Sequence, residues 1–178
     1  MLKQKLLTIA GVVGILACGA CFLPPIPQRK APLPPALASV HRITIQVEDG
    51  TAGKLFDPLV MSNATARNFN ELWREFPVRA DAVNTGGSSD ATLRITVHSR
   101  TVSCKAESKD KLFCSYEMII SVTLTAADGT ILKNRQQESS KFGLWYRGDS
   151  LKEDLNANPF RQQASYSLAS TAGEVLFY

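Results

Sequence analysis

Apolar and polar residues alternate along much of the chain beyond residue 41, a pattern typical of half-buried β-strands. The predicted strands cover residues 43–47, 78–83, 93–97, 116–124 and 131–145. Between the last two lies Ala127-Asp128-Gly129-Thr130, whose composition is a signal for a tight turn. The second half of the domain is therefore predicted to contain a long β-hairpin.

Two further segments repeat their apolar residues at helical spacing. The first is 58–76, where the stripe ends in Phe76 and Pro77 stops the helix. The second begins at Asn158-Pro159 and carries an apolar stripe to the C-terminus. Its stripe contains Phe160, Ala164, Leu168, Ala172 and Val175. The order β-α-β-β-β-β-α predicts an α+β fold in which two helices pack on one face of a small, mostly antiparallel sheet of four to five strands.

The chain begins with a segment typical of a protein that is exported from the cytoplasm. Lys3 and Lys5 precede the apolar run 6–17, which is shorter than the roughly 20 residues that a membrane-spanning helix needs. These are the length and flanks of a cleavable signal peptide. The run ends in Ile15-Leu16-Ala17-Cys18, which resembles the bacterial lipobox, where the cysteine is acylated and the chain is cut before it. We therefore expect a lipid anchor on Cys18.

Cys21 is the alternative acceptor, because Gly19 and Ala20 precede it. The sorting rule implied by the lipobox resemblance sends a lipoprotein with glycine after the cysteine to the outer membrane. Six prolines lie in the following segment, 22–39, which predicts an extended, semi-rigid tether of about 3.1 Å per residue. The predicted organisation is a signal peptide (1–17), a lipidated cysteine with its tether (18–39), and one folded domain (40–178).

Cys104 and Cys114 both end strand-like runs and flank a nine-residue loop. In an exported protein they are predicted to form a disulfide, which stabilises by about 3 kcal/mol in the chain-entropy model. The alternative is two free thiols. An unbroken register through a direct cross-strand disulfide places Val97 opposite Ser121 and mixes the core and solvent faces. Either a bulge interrupts the pairing or the disulfide is not directly cross-strand.

The whole chain carries a net charge of +4, which falls to +2 when the two leader lysines are removed. This mild charge does not indicate a nucleic acid partner. Four cations are predicted on the polar side of the strands, where they can meet phosphate groups or remain solvated. They are Arg94, Arg100, Lys133 and Arg135.

Chemistry-bearing motifs are not found in the sequence. No nucleophile elbow, zinc-protease helix or phosphate loop is present, and the only histidines are His41 and His98. Neither histidine has metal-ligand spacing or a partner that suggests a catalytic base. We therefore expect a protein that is not an enzyme, with no metal and no cofactor other than the covalent lipid.

The layout and three local patterns resemble the LPS-assembly lipoprotein family, LptE. The patterns are Ala80-Asp81-Ala82-Val83 with the related 89–93, the hairpin sequence 122–132, and the closing amphipathic helix. The resemblance implies an outer-membrane lipoprotein on the periplasmic side. Such a protein acts as plug and assembly partner of an LptD-type β-barrel and binds lipopolysaccharide.

The resemblance also implies which residues meet the anionic head of the lipopolysaccharide. Lys141, in Ser139-Ser140-Lys141-Phe142, falls where the family places a basic residue. The loop that contains Lys105, Lys109 and Lys111 is a second basic candidate. The predicted ligand-binding set is Lys141, Lys105, Arg94 and Arg135. The alternative function is another envelope lipoprotein, such as a pilotin for a secretin or an auxiliary subunit of a transport complex.

Overall fold

Strands and helices follow one another in the order that the sequence predicts. The computed structural model describes residues 32–83, 88–109, 111–147 and 158–178. Its strands are β1 (Arg42–Asp49), β2 (Arg79–Asp81), β3 (Ala91–Ser108), β4 (Lys111–Ala126) and β5 (Ile131–Arg147). Its α-helices are α1 (Pro58–Leu72) and α2 (Asn158–Phe177). The predicted α+β class is confirmed, while Cys18, Cys21 and most of the tether lie outside the described residues.

The five strands form one sheet in the order β2-β1-β3-β4-β5. β1 runs parallel to both β2 and β3, whereas β3, β4 and β5 are antiparallel to their neighbours. A parallel pair needs a crossover connection, and α1 supplies it between β1 and β2. The long antiparallel pairings make the sheet mostly antiparallel, as predicted.

Both helices lie against the same face of the sheet, which we call the helix face. The alternating apolar residues of β1, β3 and β4 point to it and are almost fully buried. α1 starts where Asp57 Oδ1 accepts hydrogen bonds from the amides of Leu59 (2.9 Å) and Val60 (3.0 Å). The whole predicted stripe of α2 is buried as well. The core thus forms between two helices and one side of the sheet.

α1 is shorter than the sequence predicts, because it ends at Leu72 rather than Phe76. The next residues form a turn in which the Phe76 amide donates to the Trp73 carbonyl oxygen at 3.0 Å. Proline disfavours helical geometry in the residue before it, so Pro77 restricts Phe76. The ring of Phe76 still enters the core and stacks on Phe177 with the ring centres 3.8 Å apart.

The register conflict around the cysteines is resolved by a β-bulge in β3. Val97 pairs with Ile120 and Ser99 with Ile119, so His98 is an extra residue on its strand. Beyond the bulge Cys104 lies directly opposite Cys114, and the two form a disulfide. The prediction that a bulge accompanies a direct cross-strand disulfide is confirmed.

β5 contains a second bulge, which the sequence did not indicate. Arg135 pairs with Val122 and Glu138 with Ile120, so β5 uses one residue more than β4 over this step. Gln137 lies within it at a φ of 62°, a left-handed conformation that few side chains adopt. Because side chains alternate between the two faces, the extra residue changes which positions of β5 face the helices. Odd-numbered positions such as Arg135 face them before the bulge, and even-numbered positions such as Glu138 face them after it.

The three antiparallel strands continue well past the end of β1. The last β1 partner is Asp49, opposite Val97, while β3 runs on to Ser108 and is exposed over that length. We call residues 99–108, 111–119 and 139–147 the distal arm. α2 begins over its inner part, where the Phe160 ring lies 5.4 Å from that of Tyr116. The outer part of the distal arm extends beyond this contact.

Candidate binding surfaces on the sheet

The sheet face opposite the helices, which we call the open face, is rich in hydroxyl groups. Its residues alternate with the buried ones and are exposed or half-buried. No helix of the described segments packs on it. Serine and threonine residues on this face include Thr44, Thr92, Thr96, Ser99, Thr101, Ser103, Ser115, Ser121, Thr123, Thr125 and Ser139. A flat surface of this composition offers many hydrogen-bond donors and acceptors and few net charges.

Arg94 lies on the open face, as predicted, but an acid compensates its charge. Its Nε is 3.0 Å from Oε1 of Glu48, and both side chains are about half exposed. The Glu48 carboxylate also accepts a hydrogen bond from the Thr96 hydroxyl at 3.4 Å. An anionic ligand at Arg94 must therefore compete with Glu48.

The other three cations predicted beside Arg94 lie on the helix face, so that part of the prediction is wrong. The bulge at His98 places Arg100 opposite Met118. Lys133 and Arg135 pair with buried residues of β4, because they precede the bulge in β5. The Arg100 guanidinium lies 5.8 Å from the centre of the Tyr116 ring. The predicted polar face with four cations does not form.

Arg135 lies at the edge of the helix face, beside the end of α2. It lines a small cavity together with Glu138, Glu174 and Tyr178. Two carboxylates in this cavity lower its attraction for an anion. Arg135 is therefore separated by the sheet itself from the other predicted ligand residues.

Lys141 lies on the open face, in the distal arm. Its Nζ is 3.1 Å from Oε1 of Glu117, which also accepts a hydrogen bond from the Ser139 hydroxyl at 2.6 Å. The hydrogen bonds from Ser139 and Lys141 lower the pKa of Glu117. Like Arg94, Lys141 therefore forms an ion pair with an acid of the neighbouring strand on the open face.

Lys105 lies further out on the same face. It is opposite Phe113, and Phe113 is opposite Trp145, so the three residues form one row across the strands. Four residues of β4 separate this row from that of Lys141, or about 14 Å along the strand. The four predicted ligand residues therefore do not converge on one site.

The row contains a surface feature that the sequence analysis missed. Trp145 lies on the edge strand with 58% of its surface exposed. Its ring centre is 4.9 Å from that of Phe113. A β-carbon on Gly143 would lie 2.5 Å from the Phe113 ring, so this ring fills the space that the glycine leaves. The sequence Phe142-Gly143-Leu144-Trp145 could have indicated this feature. Apolar residues stand there at both odd and even positions, so some of them must lie on the face away from the core.

Two searches of the described residues were negative. No group of three histidine, cysteine or acidic residues there is arranged to hold a metal ion. Among the helices of the described segments, none has the length and apolar character for crossing a membrane.

Comparison with known proteins found no matching family model and no matching curated protein. Solved structures with some similarity include a minor lipoprotein from Acinetobacter baumannii, with 7% identity and a TM-score of 0.38. It covers 82% of this chain and 90% of that one. Lipoprotein B from Nitrosomonas europaea has 15% identity and a TM-score of 0.39, with 84% of each chain covered. Rare lipoprotein B from Shewanella oneidensis has 10% identity and a TM-score of 0.30, covering 75% of this chain and 90% of that one. Since scores this low carry no argument, the functional proposal rests on the residues of this chain.

Proposed function

We propose that this protein is a lipid-anchored outer-membrane protein that serves as a non-enzymatic partner of an LptD-type β-barrel and contacts lipopolysaccharide. The observation that carries the proposal is architectural. In the described residues, two helices cover one face of a single sheet and leave the other open. The sequence predicts a lipidation signal ahead of this domain. The resemblance to the LptE family requires this arrangement.

The chemistry of the open face favours a protein partner as its main contact. Its hydroxyl groups can exchange hydrogen bonds with a polar protein surface, and a protein interface carries about ten direct hydrogen bonds. Of its three predicted cations, Arg94 and Lys141 already have carboxylate partners at 3.0 and 3.1 Å. Lipopolysaccharide contact by these cations therefore requires that the head group displace an acid.

The test of the proposal is purification of the tagged, mature protein from membranes. We expect a large outer-membrane barrel to co-purify, and we expect depletion of the protein to reduce surface lipopolysaccharide. The matched control replaces both Cys18→Ser and Cys21→Ser, which removes the anchor and is expected to abolish recovery with the outer membrane. Recovery of a secretin or an inner-membrane transporter, with normal lipopolysaccharide export after depletion, would replace this proposal with the pilotin or auxiliary-subunit alternative.

The anchor itself is tested by mass spectrometry of the mature N-terminus. We expect a lipid-modified Cys18 with Gly19 as the second residue. Modification of Cys21 instead would move the anchor by three residues and keep the proposal. An N-terminal peptide with both cysteines unmodified would refute the anchor.

The lipopolysaccharide contact is tested by replacing the cation and its acid separately. Lys141→Gln is expected to weaken lipopolysaccharide binding, whereas Glu117→Gln is expected to strengthen it by freeing Lys141. Arg135→Gln is the control, because Arg135 lies on the opposite face. Equal effects of all three substitutions would mean that the open face is not where the head group binds.

A further inference from the structure

The outer end of the distal arm carries apolar side chains on both of its faces. Phe113 and Trp145 lie on the open face, while Leu112 and Tyr146 lie opposite each other on the helix face. Sheets usually bury one face and expose polar residues on the other. Trp145 is largely exposed and the other three are only partly buried. We call these four residues the arm-end patch.

The arm-end patch is held in a defined geometry. The Phe113 ring rests against the Gly143 backbone and beside the Trp145 ring. On the other face, the Tyr146 hydroxyl lies 2.5 Å from the Tyr116 hydroxyl, so one of the two donates a hydrogen bond. The disulfide joins β3 to β4 one residue further in. The aromatic rings are therefore presented on a cross-linked support and lose little conformational freedom when they meet a surface.

Lysines border the arm-end patch. Lys105 lies opposite Phe113, and Lys109 and Lys111 lie at the turn between β3 and β4. All three are exposed. The sequence 105–111 also contains two acids, Glu107 and Asp110, and its net charge is positive.

We propose that the arm-end patch docks on an anionic membrane surface, as a second membrane contact beside the lipid anchor. Tryptophan and tyrosine prefer the boundary between lipid head groups and acyl chains, because one part of the ring is apolar and the other is polar. Lysines keep their charge among the head groups while their stems cover apolar surface, and anionic lipids attract them. This contact needs only lipid and is independent of the proposed barrel partner.

The dimensions of the chain allow both contacts at once. The tether joins the sheet at Arg42, the end of the sheet opposite to the distal arm. β3 spans about 56 Å from Ala91 to Ser108 at the rise of a strand. The 14 residues 18–31 would reach about 43 Å at polyproline spacing. The two contacts therefore form together when the strands are inclined to the membrane.

The test uses the mature lipoprotein in vesicles whose acyl chains carry bromine, which quenches nearby tryptophan. In vesicles of phosphatidylethanolamine and phosphatidylglycerol, we expect emission to shift to shorter wavelength and to be quenched. Trp145→Phe is expected to remove both effects, since Trp73 packs against Gly173 and its Nε1 donates to the Ala169 carbonyl oxygen. In phosphatidylcholine vesicles we expect little quenching.

Matched substitutions separate the charged from the apolar contribution. Lys105→Gln and Lys111→Gln are each expected to lower the ratio of docked to free arm about fivefold in anionic vesicles. Phe113→Ser is expected to reduce the quenching of Trp145. Ile131→Ser is its control, because Ile131 is also on the open face and 60% exposed, but lies at the other end of β5.

Three results would overturn the proposal. The first is the absence of Trp145 quenching in anionic vesicles, and the second is equal quenching in anionic and neutral vesicles. The third comes from a photo-crosslinking residue at position 145 in native membranes. If it joins the arm to a membrane protein rather than to lipid, the arm-end patch belongs to a protein interface.

Discussion

Gly173→Ala tests how closely α2 packs against the end of α1. A β-carbon at this position would lie 2.0 Å from Nε1 and Cε2 of Trp73, whereas ordinary contact begins at 3.4 Å. The indole must therefore move by about 1.4 Å. Its Nε1 donates a hydrogen bond of 2.9 Å to the Ala169 carbonyl oxygen, and this bond cannot survive such a shift unchanged.

The expected cost follows from three effects. Overpacking a filled core costs about 1–3 kcal/mol, and losing the hydrogen bond costs about 1 kcal/mol. Alanine returns about 1 kcal/mol through its higher helix propensity. We expect the free energy of unfolding of Gly173→Ala to fall by about 2 kcal/mol, which lowers the melting temperature by roughly 4–8 °C for a domain of this size.

The assay is urea denaturation followed by circular dichroism, with the midpoint compared at constant slope. Gly53→Ala is the control, because a β-carbon there meets nothing within 4 Å, and its effect is expected to stay within about 0.5 kcal/mol. In a Trp73→Leu background, the smaller side chain leaves room and Gly173→Ala is expected to cost nothing further. A Gly173→Ala protein as stable as the parent, in the presence of Trp73, would refute the packing argument.

Three further predictions concern the sheet. Hydrogen bonds from the amides of His41 and Arg42, at the start of β1, lower the pKa of Asp90 below the ordinary aspartate value of 3.8. The contribution of Asp90 to stability is therefore present above pH 3.8 and is lost as the pH falls through the lowered pKa. Asp90→Asn should flatten the acid limb of a stability-pH curve, and an unchanged limb would contradict this. The double substitution Cys104→Ser and Cys114→Ser should lower the free energy of unfolding by at most about 3 kcal/mol. Amide hydrogen exchange should become faster in the distal arm than in the core, and an equal increase in both would contradict this. Deletion of His98 should be tolerated with the disulfide intact, because it removes only the bulge, whereas deletion of Arg94 turns core residues to the open face and should prevent folding.

The parts of the fold that could be predicted are those where one strand face is consistently apolar. Ile43, Ile45 and Val47 are buried as their alternation indicates, and the same is true of the even-numbered apolar residues between Tyr116 and Leu124 in β4. The cysteine pair also indicated the bulge in β3. A regular pairing of β3 with β4 could not place the two cysteines opposite each other and keep the apolar residues on one face. What the alternation cannot supply is the spatial order of strands, in which β1 enters between β2 and β3.

The predicted placement of cations on the polar face was wrong in part for a related reason. Arg135 precedes a bulge at Gln137, where no glycine or asparagine marks the left-handed backbone. A single extra residue exchanges the two faces of a strand, so every cation on the wrong side of it is misplaced. The first half of β5 also has no consistently apolar face, so its sequence does not show which of its side chains point to the core. Arg94 lies on the polar face as predicted, but the acid partners of Arg94 and Lys141 lie on neighbouring strands and cannot be identified from local sequence patterns.

The two proposed membrane contacts constrain how the open face can meet a partner. A lipid on Cys18 and an arm-end patch at Trp145 restrain opposite ends of the same long axis, so the domain can still rotate about the strand direction. Nothing in either contact decides whether the hydroxyl-rich face turns toward the bilayer or away from it. A partner that binds this face would remove that remaining rotation. The entropic cost of binding is smaller for a domain that is already held at both ends, because it has less freedom to lose. Docking of the arm should therefore strengthen partner binding, and Trp145 substitutions that leave the fold intact should weaken recovery of the barrel without touching the open face near Arg94.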